Sequence, residues 1–169
     1  MGDDPVKESF TTLAEPVEGK DVLRYELLAA ARVAWGQNFQ LENVVVHHRD
    51  VTCDEVPDYI ASHINEDSPD GPLFNILIAT EHEGEIRTDA MSIPFQGSSE
   101  QYGLCMVDNK PAAEVWFDVW PHEEIDEYLN GMDVCPIAID VVDGMCDTPR
   151  FFWLNTERKD VPRWVFFRH

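Results

Sequence analysis

Basic residues are scarce in this chain of 169 residues. The sequence holds 12 Lys+Arg against 33 Asp+Glu, which gives a formal net charge of −21. A phosphate backbone or an anionic membrane surface would repel most of such a protein, because like charges repel over about a Debye length. The composition therefore predicts no direct contact with nucleic acid or membrane, and it favours a basic protein as the partner.

Catalytic and cofactor motifs are also missing. The sequence has no P-loop, no G-x-G-x-x-G fingerprint and no G-x-S-x-G nucleophile elbow. Each of these patterns serves a specific chemistry, such as cradling phosphates or exposing a nucleophilic serine. Their absence favours a binding protein over an enzyme, and it predicts no cofactor.

Cysteines are few, and their spacing indicates no framework. The four, Cys53, Cys105, Cys135 and Cys146, form no C-x-x-C motif. The start of the chain has no cationic, apolar leader, and no apolar run is long enough to cross a bilayer. We therefore expect free thiols and a cytoplasmic location.

One group of potential metal ligands lies between residues 47 and 53. His47, His48, Asp50 and Cys53 are side-chain types that bind zinc. However, adjacent histidines on a strand point to opposite faces, so only one of them could join a shared site. We interpret the group as the polar end of a strand and expect no metal site.

The apolar content of 44 % and the 18 aromatic residues are typical of a folded body rather than a disordered acidic chain. We expect a flexible acidic N-terminal arm over 1–19 and a single α+β domain over 20–169. Its fold class is a mainly antiparallel sheet with two to three helices packed on it. Periodicity and capping patterns predict helices over 21–35, 53–66 and 121–131. The predicted strands cover 39–47, 73–80, 86–94, 102–108, 113–119, 134–142, 150–155 and 162–168, with 102–108 and 113–119 as a hairpin.

The acidic residues are concentrated in one region. Residues 51–149 hold 22 of the 33 acids and only two bases, Arg87 and Lys110, whereas residues 150–169 hold five bases and six aromatic residues. Ordinary soluble surfaces intersperse both signs of charge, so an acidic region almost without bases suggests a surface for a positive partner.

Two acidic clusters on predicted helices are the candidate contact surface. Its residues are Asp54, Glu55 and Asp58 in the first cluster and Glu123, Glu124, Asp126 and Glu127 in the second. Carboxylates on a helix can space negative charge somewhat as duplex phosphates do. The leading hypothesis is therefore an acidic inhibitor of the anti-defence type, which mimics nucleic acid and blocks a basic nucleic-acid-binding protein.

Two alternatives remain open. The acid could match a basic toxin, as in an immunity protein or antitoxin, because complementary potentials speed and orient such association. It could instead reflect salt adaptation of a halophilic cytosolic enzyme, although that would spread acid evenly. A homodimer is compatible with the sequence under each hypothesis.

Overall fold

The computed structural model describes residues 22–36, 43–82, 84–95, 103–156 and 163–168. Two four-stranded antiparallel sheets dominate this part of the chain. Sheet 1 follows chain order and contains β1 (Val45–Arg49), β2 (Asp58–Asn65), β3 (Leu73–His82) and β4 (Glu85–Pro94). Sheet 2 has the order β10-β9-β8-β7 and contains β7 (Glu114–Val119), β8 (Ile137–Val142), β9 (Arg150–Trp153) and β10 (Trp164–Phe167). A two-residue hairpin, β5 (Met106–Val107) with β6 (Lys110–Pro111), precedes sheet 2.

The two sheets pack face to face. Successive side chains in a strand alternate between faces, and the inward set of each sheet is apolar. One buried cluster joins Ile60, Phe74 and Ile78 of sheet 1 to Ile139 and Phe151 of sheet 2. Burial of this shared apolar surface is the main force that holds the sheets together.

Each outer face carries one of the two helices that the described residues form. On sheet 1, α1 (Val22–Trp35) buries Leu27 and Ala31 against the strands. On sheet 2, α2 (His122–Tyr128) buries Ile125, and Leu129 follows it into the same cluster. The α+β class, with helices packed on antiparallel sheet, is thus confirmed, although the helices lie on opposite sides of two sheets rather than on one. Neither helix is long and apolar enough to span a membrane.

Disulfides connect the two sheets at both ends of the sandwich. Cys53, in the loop after β1, is bonded to Cys135 just before β8. Cys105 is bonded to Cys146 in the loop after β8, and the neighbouring Leu104 bridges to Phe95 after β4. The expectation of free thiols is therefore wrong. Sequence spacing missed the pairs because the partners lie 82 and 41 residues apart and meet only in the folded sandwich.

The helix predicted over 53–66 is also wrong. Residues 50–57 form a loop, and 58–65 form strand β2, paired with both β1 and β3. The apolar stripe that suggested a helix also fits a strand buried on both faces, since β2 lies inside the sheet with a cover on each side. Pro57 lacks an N–H and disfavours a helix interior, so it ends the loop where pairing begins.

Most other elements lie close to their predicted positions. The predicted helix 21–35 is α1, and the predicted helix 121–131 shortens to α2. The predicted hairpin of 102–108 with 113–119 is wrong, because β7 pairs with β8 instead. The expected arm over 1–19 lies outside the described residues.

Candidate partner-binding surface

Loop 50–57 has a conformation that the side chain of Asp50 helps to fix. Asp50 accepts hydrogen bonds from the backbone N–H groups of Cys53 (2.7 Å) and Glu55 (3.0 Å). Both of those residues have left-handed backbone, with φ of 60° and 70°. Side-chain acceptors stabilise such turns locally, so the loop presents Asp54 and Glu55 from a defined backbone rather than from a helix.

Asp58 does not belong to this surface. Its side chain is 1 % exposed, because it opens β2 beneath the loop. Its Oδ2 accepts from the N–H groups of Val51 (2.9 Å) and Thr52 (3.2 Å) and from the Thr52 hydroxyl (3.2 Å). Burial raises the pKa of Asp58 to about 7, which these hydrogen bonds only partly oppose. The residue holds the loop in place and cannot contact a partner.

The second acidic cluster is exposed as predicted. Glu123, Glu124, Asp126 and Glu127 lie on α2, and each side chain is solvent-exposed. The helix keeps Ile125 against sheet 2, which turns the acidic positions outward. Two of these acids are in the first turn, where the helix dipole stabilises negative charge.

The fold brings the two clusters to the same end of the sandwich. The Cys53–Cys135 bond holds the loop to the residue before Pro136, with a Cα–Cα distance of 5.5 Å. The carbonyl of Pro136 accepts a hydrogen bond from the N–H of Trp120 (2.9 Å), two residues before α2 begins. We call this end, formed by loop 50–57, the β3–β4 turn and the start of α2, the acidic end.

Two further acids, beside the β3–β4 turn, also reach the acidic end. The register of β2 on β3 places Ala79 beside Tyr59, so the β3–β4 turn follows next to the start of β2. The exposed Glu81 and Glu85 flank this turn. By contrast, Glu66, Asp67 and Asp70 lie in the β2–β3 turn, at the opposite end of sheet 1.

A second feature lies on the outer face of sheet 2, beside α2. Inward residues of β7 join the shared core, so Glu114, Trp116 and Asp118 point outward. Trp116 is 59 % exposed, and its indole N–H donates to Glu114 Oε2 (3.3 Å). Sequence reasoning missed this face, although the spacing of the acids Glu114 and Asp118 around the apolar Val115 and Phe117 was an available signal.

Asp140 and Arg150 continue the row from Trp116 across the next two strands. The register pairs Trp116 with Asp140, and Asp140 with Arg150. Arg150 Nε lies 3.3 Å from Asp140 Oδ1 without hydrogen-bond geometry, and its guanidinium stacks over Trp120 at 5.0 Å. Burial raises the pKa of Asp140 to about 6, which Arg150 opposes and Asp118 reinforces.

The four candidate metal ligands do not form a site. His47 contacts Phe117 between the sheets, whereas His48 stacks on Tyr59 across the other face of β1. Asp50 is engaged by loop amides, and Cys53 is in a disulfide. Opposite side-chain directions on a strand separate the two histidines, as expected.

One other group has metal-ligand spacing within the described ranges. It consists of Cys105, Asp143 and Cys146. The two thiols are oxidised to a disulfide, and Asp143 already accepts three backbone N–H groups, from Cys105 (2.7 Å), Met145 (2.8 Å) and Cys146 (2.8 Å). This cluster stabilises a loop.

A row of His63, Asn75 and Ser92 crosses the outer face of sheet 1. The Ser92 hydroxyl donates to Asn75 Oδ1 (2.7 Å), and Asn75 separates the serine from the histidine. Nucleophilic catalysis needs a base in direct contact with the nucleophile, which this order does not provide. His63 packs beside Trp35, and burial lowers its pKa, so it lies at the edge of the core.

No protein-family model, no curated protein and no solved structure matches the chain.

Proposed function

We propose that the protein acts by binding a basic protein through its acidic end. The observation that carries this proposal is the proximity of loop 50–57 to the start of α2, which the Cys53–Cys135 bond and the Trp120–Pro136 hydrogen bond hold together. Two acidic clusters about 70 residues apart in sequence thereby form one negatively charged region. Neither loop 50–57 nor α2 contains a lysine or arginine. Such a field accelerates association with a positive partner and fixes its orientation.

The contact residues in this proposal are exposed carboxylates on a rigid support. They are Glu55, Glu123, Glu124, Asp126 and Glu127; Asp54 beside them is half-buried and accepts the Val56 N–H, and Asp58 is buried. Rigid support lowers the entropic cost of binding, because the charges do not have to be ordered when the partner arrives.

We further propose that the acids of α2 mimic the phosphates of a nucleic acid. At about 1.5 Å of rise per residue, the acids of α2 span about 6 Å. That density resembles the duplex value of about one charge per 1.7 Å, but it extends over only a few phosphates. The charge pattern therefore supports an inhibitor that occupies part of a basic groove, and it supports a basic toxin as the target equally well.

The disulfides change the compartment in which we propose this binding takes place. The expected cytoplasmic location depended on free thiols. Disulfides form and persist in oxidising environments and are rare in a reducing cytosol. Two of them, each joining the sheets, favour an oxidising compartment and a partner that is met there.

The test compares two variants of equal net charge. The acidic-end variant carries Glu55→Lys, Glu123→Lys, Glu124→Lys and Glu127→Lys. The control variant carries Glu66→Lys, Asp67→Lys, Asp70→Lys and Asp147→Lys, all exposed and away from the acidic end. Each immobilised protein is exposed to extract of the source organism at low and high salt, and the retained proteins are identified.

We expect wild type and the control variant to retain the same basic protein, and the acidic-end variant to lose it. Retention should fall at high salt, since exposed charges are screened. If duplex DNA competes for the retained protein, the target is a nucleic-acid-binding protein. Equal loss in both variants would show that only the net charge matters, and it would contradict the proposal.

A further inference from the structure

Trp116 differs from two other tryptophans in the described part of the chain. Trp120 and Trp153 are buried, and each has an arginine guanidinium over its ring, Arg150 at 5.0 Å and Arg163 at 5.6 Å. Trp116 is 59 % exposed, and no cation from the described residues lies over it. A guanidinium over an indole is favourable because the ring face carries partial negative charge.

The neighbours of Trp116 add to this attraction for a cation. Glu114 and Asp118 precede and follow it by two positions, on the same face of β7. The indole N–H donates to Glu114, which orients the ring. Arg150, two strands away in the same row, is held over Trp120 and against Asp140 instead. The exposed ring therefore lies between two carboxylates, and no lysine or arginine of the described residues covers its face.

Strand β7 is also an edge strand. Within the described residues, β8 pairs with one side of β7 and no strand pairs with the other. An edge exposes backbone N–H and C=O groups that an extended segment can pair with. On such an added strand, the residue opposite Trp116 would lie about 5 Å away, and Glu114 and Asp118 would be its diagonal neighbours.

We infer that β7 receives an extended, arginine-containing segment of the basic partner, with one arginine stacked on Trp116 between Glu114 and Asp118. This inference rests on the proposed function and specifies how the partner is recognised. Backbone pairing supplies the register, and the ring and the two carboxylates select a cationic side chain at that position. The segment would run beside the strand that leads directly into α2.

The test uses a blocked synthetic heptapeptide in which arginine alternates with threonine, at about 0.1 M salt. Binding is followed by the NMR shift of the Trp116 indole N–H, assigned with Trp116→Phe, and of backbone amides in β7. We expect saturable binding that weakens about five-fold in Trp116→Ala and about two-fold in Trp116→Phe. Val119→Ala, at an exposed position of the same strand, is the matched control and should bind like wild type.

Two further peptides separate the parts of the inference. A peptide with citrulline in place of arginine keeps the shape and loses the charge, and it should bind at least five-fold more weakly. A peptide N-methylated on the pairing edge keeps the charge and cannot donate to β7, so it should also lose binding. Equal binding of the N-methylated peptide would overturn strand addition.

Unchanged binding in Trp116→Ala, or no saturable binding at all, would overturn the inference as a whole. Its failure is distinguishable from failure of the proposed function. If extract proteins are lost by the acidic-end variant but retained by Trp116→Ala, partner binding at the acidic end stands and the β7 site falls. If peptide binding requires Trp116 while the acidic-end variant still retains its partner, the β7 site stands and partner binding at the acidic end falls.

Discussion

The two ends of the sandwich are built on the same plan and differ in one respect. Each end has a disulfide that joins the sheets and a buried aspartate that accepts loop N–H groups. At the acidic end, Asp58 uses only Oδ2, and Oδ1 is buried with no hydrogen-bond partner among the described residues. At the opposite end, which includes loop 143–149 and the β2–β3 turn, Asp143 uses both oxygens.

Each aspartate accepts three hydrogen bonds, so the two ends differ in how the donors are shared between the carboxylate oxygens. Three backbone N–H groups that converge on two oxygens replace the water that Asp143 has lost. In Asp58 all donors lie on one oxygen and do not compensate for the water that the other oxygen has lost. Burial therefore raises the pKa of Asp58 to about 7. The end with the surface acids therefore also has a carboxyl group that titrates near neutral pH.

Removal of the disulfides should have the largest effect on this comparison. Cys53→Ala/Cys135→Ala opens a link between residues 82 apart, and Cys105→Ala/Cys146→Ala opens one between residues 41 apart. Loop-closure entropy predicts losses in the free energy of unfolding of about 4.5 and about 4 kcal/mol, respectively. Urea unfolding of the oxidised proteins measures both values.

The control for the disulfides is chemical. Thiol titration of unfolded wild-type protein, before and after reduction, should give no thiols and then four. Wild-type protein treated with reductant should unfold at a lower urea concentration than either double variant. Four free thiols in the untreated protein, or a midpoint that reductant leaves unchanged, would contradict the paired state.

Replacement of each buried aspartate by asparagine should destabilise the two ends to different extents. Asp143→Asn places an amide N–H against a backbone N–H and should cost about 3 kcal/mol of unfolding free energy. Asp58→Asn keeps one acceptor oxygen and resembles the protonated acid, so at pH 5 it should cost less than about 1 kcal/mol. Urea midpoints of both variants measure the difference.

Asp147→Asn is the matched control for Asp143→Asn, because Asp147 is exposed in the same loop. Its unfolding free energy should lie within about 0.5 kcal/mol of wild type. Equal costs for Asp58→Asn and Asp143→Asn at pH 5 would show that the two ends hold their carboxylates equivalently.

The third prediction concerns pH. The pKa of Asp58 is about 7 in the folded protein, against an ordinary value of 3.8, so the folded state keeps the proton to higher pH than the unfolded state. Proton binding by Asp58 therefore stabilises the folded state in full below pH 3.8, the ordinary pKa that applies in the unfolded chain. This contribution to the free energy of unfolding is lost as pH rises through the folded pKa of about 7. Between pH 5 and pH 8 it should decrease by about 2.5 kcal/mol.

The comparison with Asp58→Asn isolates this effect. Asp140 has a pKa raised to about 6 and contributes in the same direction, and surface acids add their own dependence. Subtracting the pH profile of Asp58→Asn from that of wild type, both at high salt, removes these contributions. Parallel profiles would mean that Asp58 does not titrate in this range.

The sequence predicted the elements whose pattern has only one reading. The helical spacing of apolar residues and the capping residues of 21–35 predicted α1, and the apolar run from Leu73 predicted β3. Residues 53–66 were misread because Val56, Tyr59, Ile60, His63 and Ile64 are spaced for a helix and are equally suited to a strand covered on both faces. Tertiary pairing with two neighbouring strands decided between these readings.

The candidate site was predictable in composition and not in arrangement. The acids of α2 were found because a seven-residue segment with four acids can bury only its apolar side. The meeting of loop 50–57 with α2, and the burial of Asp58, depend on long-range pairing that single-sequence patterns do not contain. The row from Trp116 to Arg150 likewise exists only after β7, β8 and β9 are in register.

The order of the cysteines along the chain has a consequence for a cleaved molecule. Cys53 pairs with Cys135 and Cys105 with Cys146, so the two covalent loops overlap. Any single cut between residues 53 and 146 falls inside at least one loop. A protease that nicks an exposed turn in this region would therefore leave both fragments attached, and they would separate on a gel only after reduction.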